Sequence, residues 1–98
     1  MSVICKRELF GKAAKYADAK NALRYWFKIA TAAEWHNLED IRRDFPPTDM
    51  VDSLAIFNIK GTHYRLIVRI AFAPRRVYIK ELLTHSEYSK GAWKKWLP

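Results

Sequence analysis

The spacing of apolar residues changes once along this 98-residue chain, and that change constrains its fold most strongly. Before residue 53, apolar side chains recur every three or four positions, which is typical of amphipathic helices. From Leu54 onward the period becomes two, over residues 54–59, 64–72 and 77–83. Lys60-Gly61 and a segment containing Pro74 separate these runs, so we expect three consecutive antiparallel strands. The pattern predicts an α+β fold with helices packed on one face of the sheet.

The first half of the chain predicts a short strand and several helices. Val3-Ile4-Cys5 is typical of a brief strand, and a helix is expected to open near Lys6. Asp18 is a candidate cap for a second helix, whose predicted buried stripe is Ala19, Leu23, Trp26, Phe27, Ala30 and Ala33. Asn37 can cap a third helix over 38–44, and residues 48–53 are expected to form a loop. We therefore expect one compact domain over residues 1–98, with helices on a mainly antiparallel sheet of three or four strands.

The amino-acid composition limits which metal sites the chain can form and which cellular compartment we expect for it. Cys5 is the only cysteine, so this chain can form neither an internal disulfide nor a cysteine-based zinc site. After Ser53 the only carboxylates are Glu81 and Glu87, too few for a two-metal nuclease centre in that half. The chain has no apolar run of membrane-spanning length and no secretory leader pattern. We expect a cytoplasmic protein without metal or cofactor.

Positive charge is concentrated in the second half. Of the formal net charge of +8, about seven units lie in residues 54–98. This half contains nine Lys and Arg residues and only two carboxylate side chains. Along the middle predicted strand, Arg65 and Arg69 alternate with the apolar positions and so lie on one face. Arginine suits phosphate because its planar guanidinium stays charged and offers a fork of donors. The alternative is that both merely cover the solvated face of a half-buried sheet.

The end of the last predicted strand carries the most specific motif. Thr84 and Glu87 are spaced as a capping box, which predicts a helix that begins at His85. The positive end of that helix and the surrounding cations favour a neutral imidazole that can accept a proton. Tyr88 lies three residues later on the same side, where it can contact RNA or simply pack the helix onto the sheet. Lys80 can complete a cationic pocket with Arg65, or it can pair with Glu81.

These residues are compatible with cleavage of RNA. RNA supplies its own nucleophile, the 2′-hydroxyl, so a base, an acid and cations to stabilise the transition state are sufficient. Trp93 and Trp96, interleaved with Lys94 and Lys95, can form an RNA-contacting tail or anchor the last turn to the core. The residues alone leave open a non-catalytic RNA- or DNA-binding module and a protein-interaction domain.

The second half also resembles a known family. Phe57-Asn58-Ile59, Gly61, Tyr64-Arg65-Leu66, Val77-Tyr78-Ile79-Lys80 and Thr84-His85-x-Glu87-Tyr88 are similar to the C-terminal signature of HigB-type toxins in the RelE-like superfamily of mRNA interferases. The helical pattern of the first half is also similar to that family. The resemblance implies a RelE-like fold with a short C-terminal helix.

The resemblance further implies a function, partners and site residues. It implies the toxin of a type II toxin–antitoxin pair that cleaves translated mRNA in the A site of the small ribosomal subunit. A HigA-like antitoxin with a helix-turn-helix domain would silence it, and DNA would be bound only through that antitoxin. The positions that match the active face are Arg65, Lys80, His85 and Tyr88. We expect additional RNA contacts from Asn58, Lys60, His63, Arg69, Arg75, Arg76 and Lys90. The tail from Gly91 to Trp96 departs from the usual ending of the family.

Overall fold

A computed structural model describes residues 1–5 and 15–97, which form five strands, three α-helices and two 3₁₀ turns. The strands are β1 (Ser2–Cys5), β2 (Asp49–Val51), β3 (Leu54–Ile59), β4 (Tyr64–Ala71) and β5 (Arg76–Thr84). The helices are α1 (Lys20–Ala32), α2 (Leu38–Asp44) and α3 (His85–Ser89). The 3₁₀ turns span Ala17–Ala19 and Ala92–Trp96. The helix predicted to open near Lys6 lies outside the described residues.

The strands form one mixed sheet in the order β1-β5-β4-β3-β2. β3, β4 and β5 pair antiparallel as the alternating pattern predicted, and β1 adds to β5 in parallel. The prediction of three or four strands was too low, because β2 lies in the segment expected to be a loop. Its three residues are too few to show a period, although Asp52 turns them back onto β3 with a left-handed φ of 55°. The α+β class is confirmed.

The main core lies between the helices and one face of the sheet, which we call the helix face. Alternation along β4 places Tyr64, Leu66, Val68 and Ile70 there, as predicted. Phe57 of β3 is fully buried and contacts three aromatic rings, those of Trp26, Trp35 and Phe45, at centroid distances of 5.3, 5.9 and 5.3 Å. Burial of such large rings supplies much of the hydrophobic free energy of folding.

The opposite face, which we call the basic face, carries a smaller apolar cluster beside its cations. Leu54, Ile56, Ile67 and Leu83 form this cluster. Tyr88, Trp93 and Trp96 from the C-terminal segment pack against it. The two tryptophans therefore anchor the C-terminal segment to the sheet, which was one of the two predicted roles.

Two details of α1 differ from the sequence prediction. Its N-cap is Ala19, without a side-chain hydrogen bond, so Asp18 is not the cap. Phe27 is 42% exposed, whereas its neighbour Trp26 is buried. Consecutive helical residues are separated by about 100°, so both cannot face the sheet fully. The remaining predicted stripe does face the core, and Asn37 does cap α2 through the amide of Asp40.

Asp18 instead joins the first 3₁₀ turn to the hairpin between β3 and β4. Its carboxylate accepts hydrogen bonds from the Tyr64 hydroxyl at 2.6 Å and the Lys60 ammonium at 2.9 Å. These two contacts, with Tyr64 the larger cause, hold the pKa of Asp18 below its usual 3.8. The bond to Asp18 in turn raises the pKa of Tyr64 to about 12.

We predict that Asp18→Asn lowers the free energy of unfolding at pH 7 and that this loss shrinks as the pH falls below about 4. A carboxyl group whose folded pKa is depressed stabilises the protein above its unfolded pKa, and that contribution disappears as the pH falls through the folded pKa. Urea unfolding at pH 7 and near pH 3 measures the difference. Asp52→Asn is the control, because asparagine tolerates the left-handed φ. An equal dependence on pH for the two variants would contradict the role of Asp18.

Candidate active site

Three neighbouring strands place polar side chains at one end of the basic face. Asn58 of β3 lies opposite Arg65 of β4, and Arg65 lies opposite Leu83 of β5. Because directly paired residues project to the same side of a sheet, Asn58 and Arg65 share the basic face. The next residues of β5 lead straight into α3, so the capping box and the hairpin preceding β4 lie at this same end.

Arg65 is held by its own strand and by α3. Its Nη1 donates to the carbonyls of Thr62 at 2.7 Å and Tyr64 at 3.3 Å. Its guanidinium carbon lies 5.1 Å from the ring centroid of Tyr88, within the range of a cation–π contact. Both hydrogen bonds that are seen among the described residues leave from Nη1. The guanidinium has further donors that can reach phosphate oxygens.

A β-bulge places Lys80 and Glu81 together on the basic face. Ile67 pairs with Glu81 but the next residue, Val68, pairs with Ile79, so Lys80 is an extra residue in β5. Strict alternation would place Lys80 and Glu81 on opposite faces. Instead, the Lys80 ammonium lies 5.7 Å from the ring centroid of Tyr78, which projects to the basic face opposite Arg69.

The capping box fixes the junction between β5 and α3. The Thr84 hydroxyl accepts from the Glu87 amide at 3.2 Å, and the Glu87 carboxylate accepts from the Thr84 amide at 3.0 Å. Both predicted bonds are therefore present, and Glu87 serves as the cap. Such a box orders the first turn of a helix by satisfying its free amides.

His85 is the first residue of α3 and its side chain is exposed to solvent. Its amide donates to the carbonyl of His63 at 2.9 Å, which ties the start of α3 to the hairpin before β4. Tyr88 follows one helical turn later and stacks on Trp93 at 6.0 Å with an interplanar angle of 25°. Thus His85 stays accessible while Tyr88 is held between Arg65 and the C-terminal segment.

The other predicted RNA-binding residues fall into two groups, one near His85 and one farther from it. Lys60 is paired with Asp18, and the ring of His63 contacts the Lys60 carbonyl at 2.9 Å. Lys90 caps the end of α3 and is exposed. These three lie near the end of the sheet that carries His85.

Arg69, Arg75 and Arg76 lie farther from His85. Arg75 and Arg76 belong to the opposite end of the β4–β5 hairpin, roughly 25 Å away at about 3.3 Å per strand residue. Arg69 Nη2 donates to the carbonyl of Trp96 at 3.0 Å, and its Nε is buried without a hydrogen-bond partner among the described residues. Arg69 is therefore in contact with the C-terminal segment.

The sequence prediction did not include the bulge or the contact between Trp96 and Glu81. Trp96 Nε1 donates to Glu81 Oε2 at 2.9 Å, so this carboxylate anchors the tail. The signal for the bulge was present in the sequence: the apolar positions 77 and 79, which face the helices, are followed by 82 rather than 81. An odd spacing within an alternating run indicates an inserted residue.

Arg65, Tyr88 and His85 lie at one end of the basic face, whereas Lys80 lies farther along it, beside Tyr78 and Trp96. Between them, these side chains have the chemistry that RNA transesterification requires. Arg65 and Lys80 are cations on one face, His85 is an exposed imidazole, and Tyr88 offers a phenol. An imidazole and a phenol can move protons, and fixed cations stabilise a transition state of increased negative charge. Among residues 1–5 and 15–97, no three His, Cys, Asp or Glu side chains cluster as a metal site. Of the helices in this described part, none is long and apolar enough to cross a membrane.

Comparison with known proteins points to one family. The family described as HigB toxin, the RelE-like toxic component of a toxin–antitoxin system, matches residues 19–91. The mRNA interferase toxin HigB of Escherichia coli K12 is 28% identical over 91 residues, which cover 90% of this chain and 88% of that protein. The mRNA interferase HigB of E. coli O6:H1 strain CFT073 is 26% identical over 93 residues, covering 92% of this chain and 90% of the relative.

Proposed function

This chain belongs to the HigB family of RelE-like toxins, and from that membership we propose that it is the mRNA-cleaving toxin of a toxin–antitoxin pair. The observation that carries the proposal is the contact of Arg65 with Tyr88 beside the exposed His85, on the face that also holds Lys80. These four are the residues identified from the sequence as its active face. They lie within the segment that the family matches.

We propose a division of labour among the four residues. Arg65 and Lys80 hold the scissile phosphate and stabilise the charge that develops on its oxygens. His85 transfers protons at the reacting 2′-hydroxyl or the leaving 5′-oxygen, and Tyr88 supports it or stacks on a base. The 2′-oxygen bonds to phosphorus as the bond to the 5′-oxygen breaks, which leaves a 2′,3′-cyclic phosphate and a 5′-hydroxyl. This route needs no metal ion.

Replacing Arg65 or His85 by alanine should lower cleavage of translated mRNA by about a hundredfold or more, in line with the loss of a transition-state cation or a proton-transfer group. Primer extension on mRNA from a reconstituted translation system measures the cleavage, and circular dichroism checks the fold. Lys28→Ala removes an exposed cation from α1 and is the control. Wild-type cleavage by folded forms of both site variants would exclude this active site. If His85→Ala binds RNA normally and the wild type never cleaves, the protein is a binding module instead.

The 2′-hydroxyl route makes a separate prediction about the substrate. An mRNA with one 2′-deoxynucleotide on the 5′ side of a mapped cleavage position should resist cleavage there, because the nucleophile is missing. Its all-ribose counterpart is the control, and mass spectrometry of the upstream fragment should detect a 2′,3′-cyclic phosphate or its hydrolysis product. Undiminished cleavage at the deoxynucleotide would show that water, not the 2′-hydroxyl, attacks.

Family membership also implies an antitoxin partner and mRNA as the substrate. More specifically, we propose that the partner is a HigA-like antitoxin with a helix-turn-helix domain. The toxin–antitoxin complex would bind DNA only through that antitoxin. We propose the cytoplasm as the compartment and the ribosomal A site as the place of cleavage, because cleavage of mRNA during translation needs access to the decoded codon.

Co-expression should test the partner. The product of the adjacent reading frame should restore growth that the toxin arrests, and the two chains should copurify. An antitoxin is expected to cover the basic face, since that face carries the proposed active residues. Growth arrest that continues unchanged beside a well-expressed neighbour, without copurification, would reject that neighbour as the antitoxin.

A further inference from the structure

The C-terminal 3₁₀ turn lies beyond the residues that the family matches, which end at Gly91. Its last residue, Trp96, is fixed at two points by the sheet. The indole Nε1 donates to Glu81 Oε2 at 2.9 Å, and the Trp96 carbonyl accepts from Arg69 Nη2 at 3.0 Å. The side chain also packs against the apolar cluster of the basic face. Both the ring and the backbone of Trp96 therefore have defined positions over β4 and β5.

The Trp96 ring contacts two ammonium groups. Lys80 Nζ lies 5.8 Å and Lys95 Nζ lies 5.5 Å from the ring centroid. Lys95 also pairs with Glu81 at 3.0 Å. Lys80 thus lies near two aromatic rings, since the ring of Tyr78 is at 5.7 Å. The negative face of each ring attracts the cation and restricts where the flexible lysine can go.

This restriction matters because lysine is a point charge on a four-carbon chain. An arginine at a phosphate site is preorganised by its planar fork, whereas a lysine loses more conformational freedom for each contact it forms. A neighbour that limits the rotamers of the lysine before RNA binds reduces that loss. The geometry of Trp96 suits this purpose, because Glu81 holds the ring and Arg69 holds the backbone through hydrogen bonds that do not involve Lys80.

We propose that Trp96 is a positioning residue that holds the Lys80 ammonium group on the basic face for contact with the scissile phosphate. The inference rests on the proposed function and assigns a part in it to the C-terminal 3₁₀ turn. Trp96 itself does not touch the reacting atoms in this scheme. It acts on the reaction only through Lys80.

A spectroscopic measurement tests the contact without any need for activity. Protons above an aromatic ring shift upfield, so the Hε protons of Lys80 should resonate upfield of exposed lysines in the full-length protein. Trp96→Leu should move the Lys80 signals toward the ordinary lysine position, while Lys94→Ala, an exposed residue of the same turn, should leave them in place. Unchanged Lys80 signals in a folded Trp96→Leu protein would overturn the inference.

Trp96 packs against the apolar cluster of the basic face, so Trp96→Phe provides a second variant that keeps an aromatic side chain there. The smaller ring should reduce the upfield shift of Lys80 without abolishing it. If only the Phe variant folds, its Lys80 signals decide the question. A shift equal to that of the wild type would overturn the proposed contact.

A double-mutant cycle separates positioning from general structure. Trp96→Leu should reduce cleavage of translated mRNA about three- to tenfold, the range expected for loss of a partly exposed cation–π contact and its preorganisation. In a Lys80→Arg background, whose guanidinium needs less positioning, the same substitution should have a smaller effect. An equal loss in both backgrounds would mean that Trp96 acts structurally and would overturn the proposal. If the wild type does not cleave, the proposed function fails, whereas the Lys80 signals still report on the contact.

Discussion

The pairing of β4 with β5 is the constraint on which the rest of the structure depends. Helices cover one face of β4, so its residues alternate between the helix face and the basic face, and a shift of one residue would exchange the two sets. Within that frame, one extra residue in β5 decides which side chains share the basic face. The bulge lets Val77, Ile79 and Leu82 all face the helices, and Glu81 thereby joins Lys80 on the same side as Arg65. Packing of the core and placement of the charged side chains are thus two consequences of one register.

The cations of the basic face are held by aromatic rings and backbone carbonyls. Arg65 lies against Tyr88, and Lys80 lies near Tyr78 and Trp96. The Tyr88 ring orients the Arg65 guanidinium without neutralising its charge. A positive potential on this face raises the local concentration of phosphate. Where carboxylates do occur nearby, they have structural roles: Glu87 caps α3 and Glu81 anchors the tail.

The C-terminal segment connects stability with the site. Tyr88, Trp93 and Trp96 cover the small apolar cluster, and two of these three also contact a cation of the basic face. The same aromatic residues therefore exclude water from the sheet and define where Arg65 and Lys80 lie. The family match ends before the last 3₁₀ turn, so Trp96 lies outside the matched residues whereas Lys80 lies inside them.

The sequence by itself determined the α+β class, the three antiparallel strands, the side of β4 that carries arginine and the helix start at His85. These features depend on residues that are close in sequence. The spacing of apolar residues shows which side of a strand or helix faces the core, and the capping box needs only Thr84 and Glu87. The roles of Asp18 and Glu81, the short strand β2 and the bulge at Lys80 were decided by tertiary structure. Asp18 meets Tyr64 and Lys60 from more than forty positions away, and Glu81 meets Trp96 across fifteen. Such contacts depend on how elements pack, because a polar side chain takes the partner that folding brings to it, and local spacing does not encode that partner.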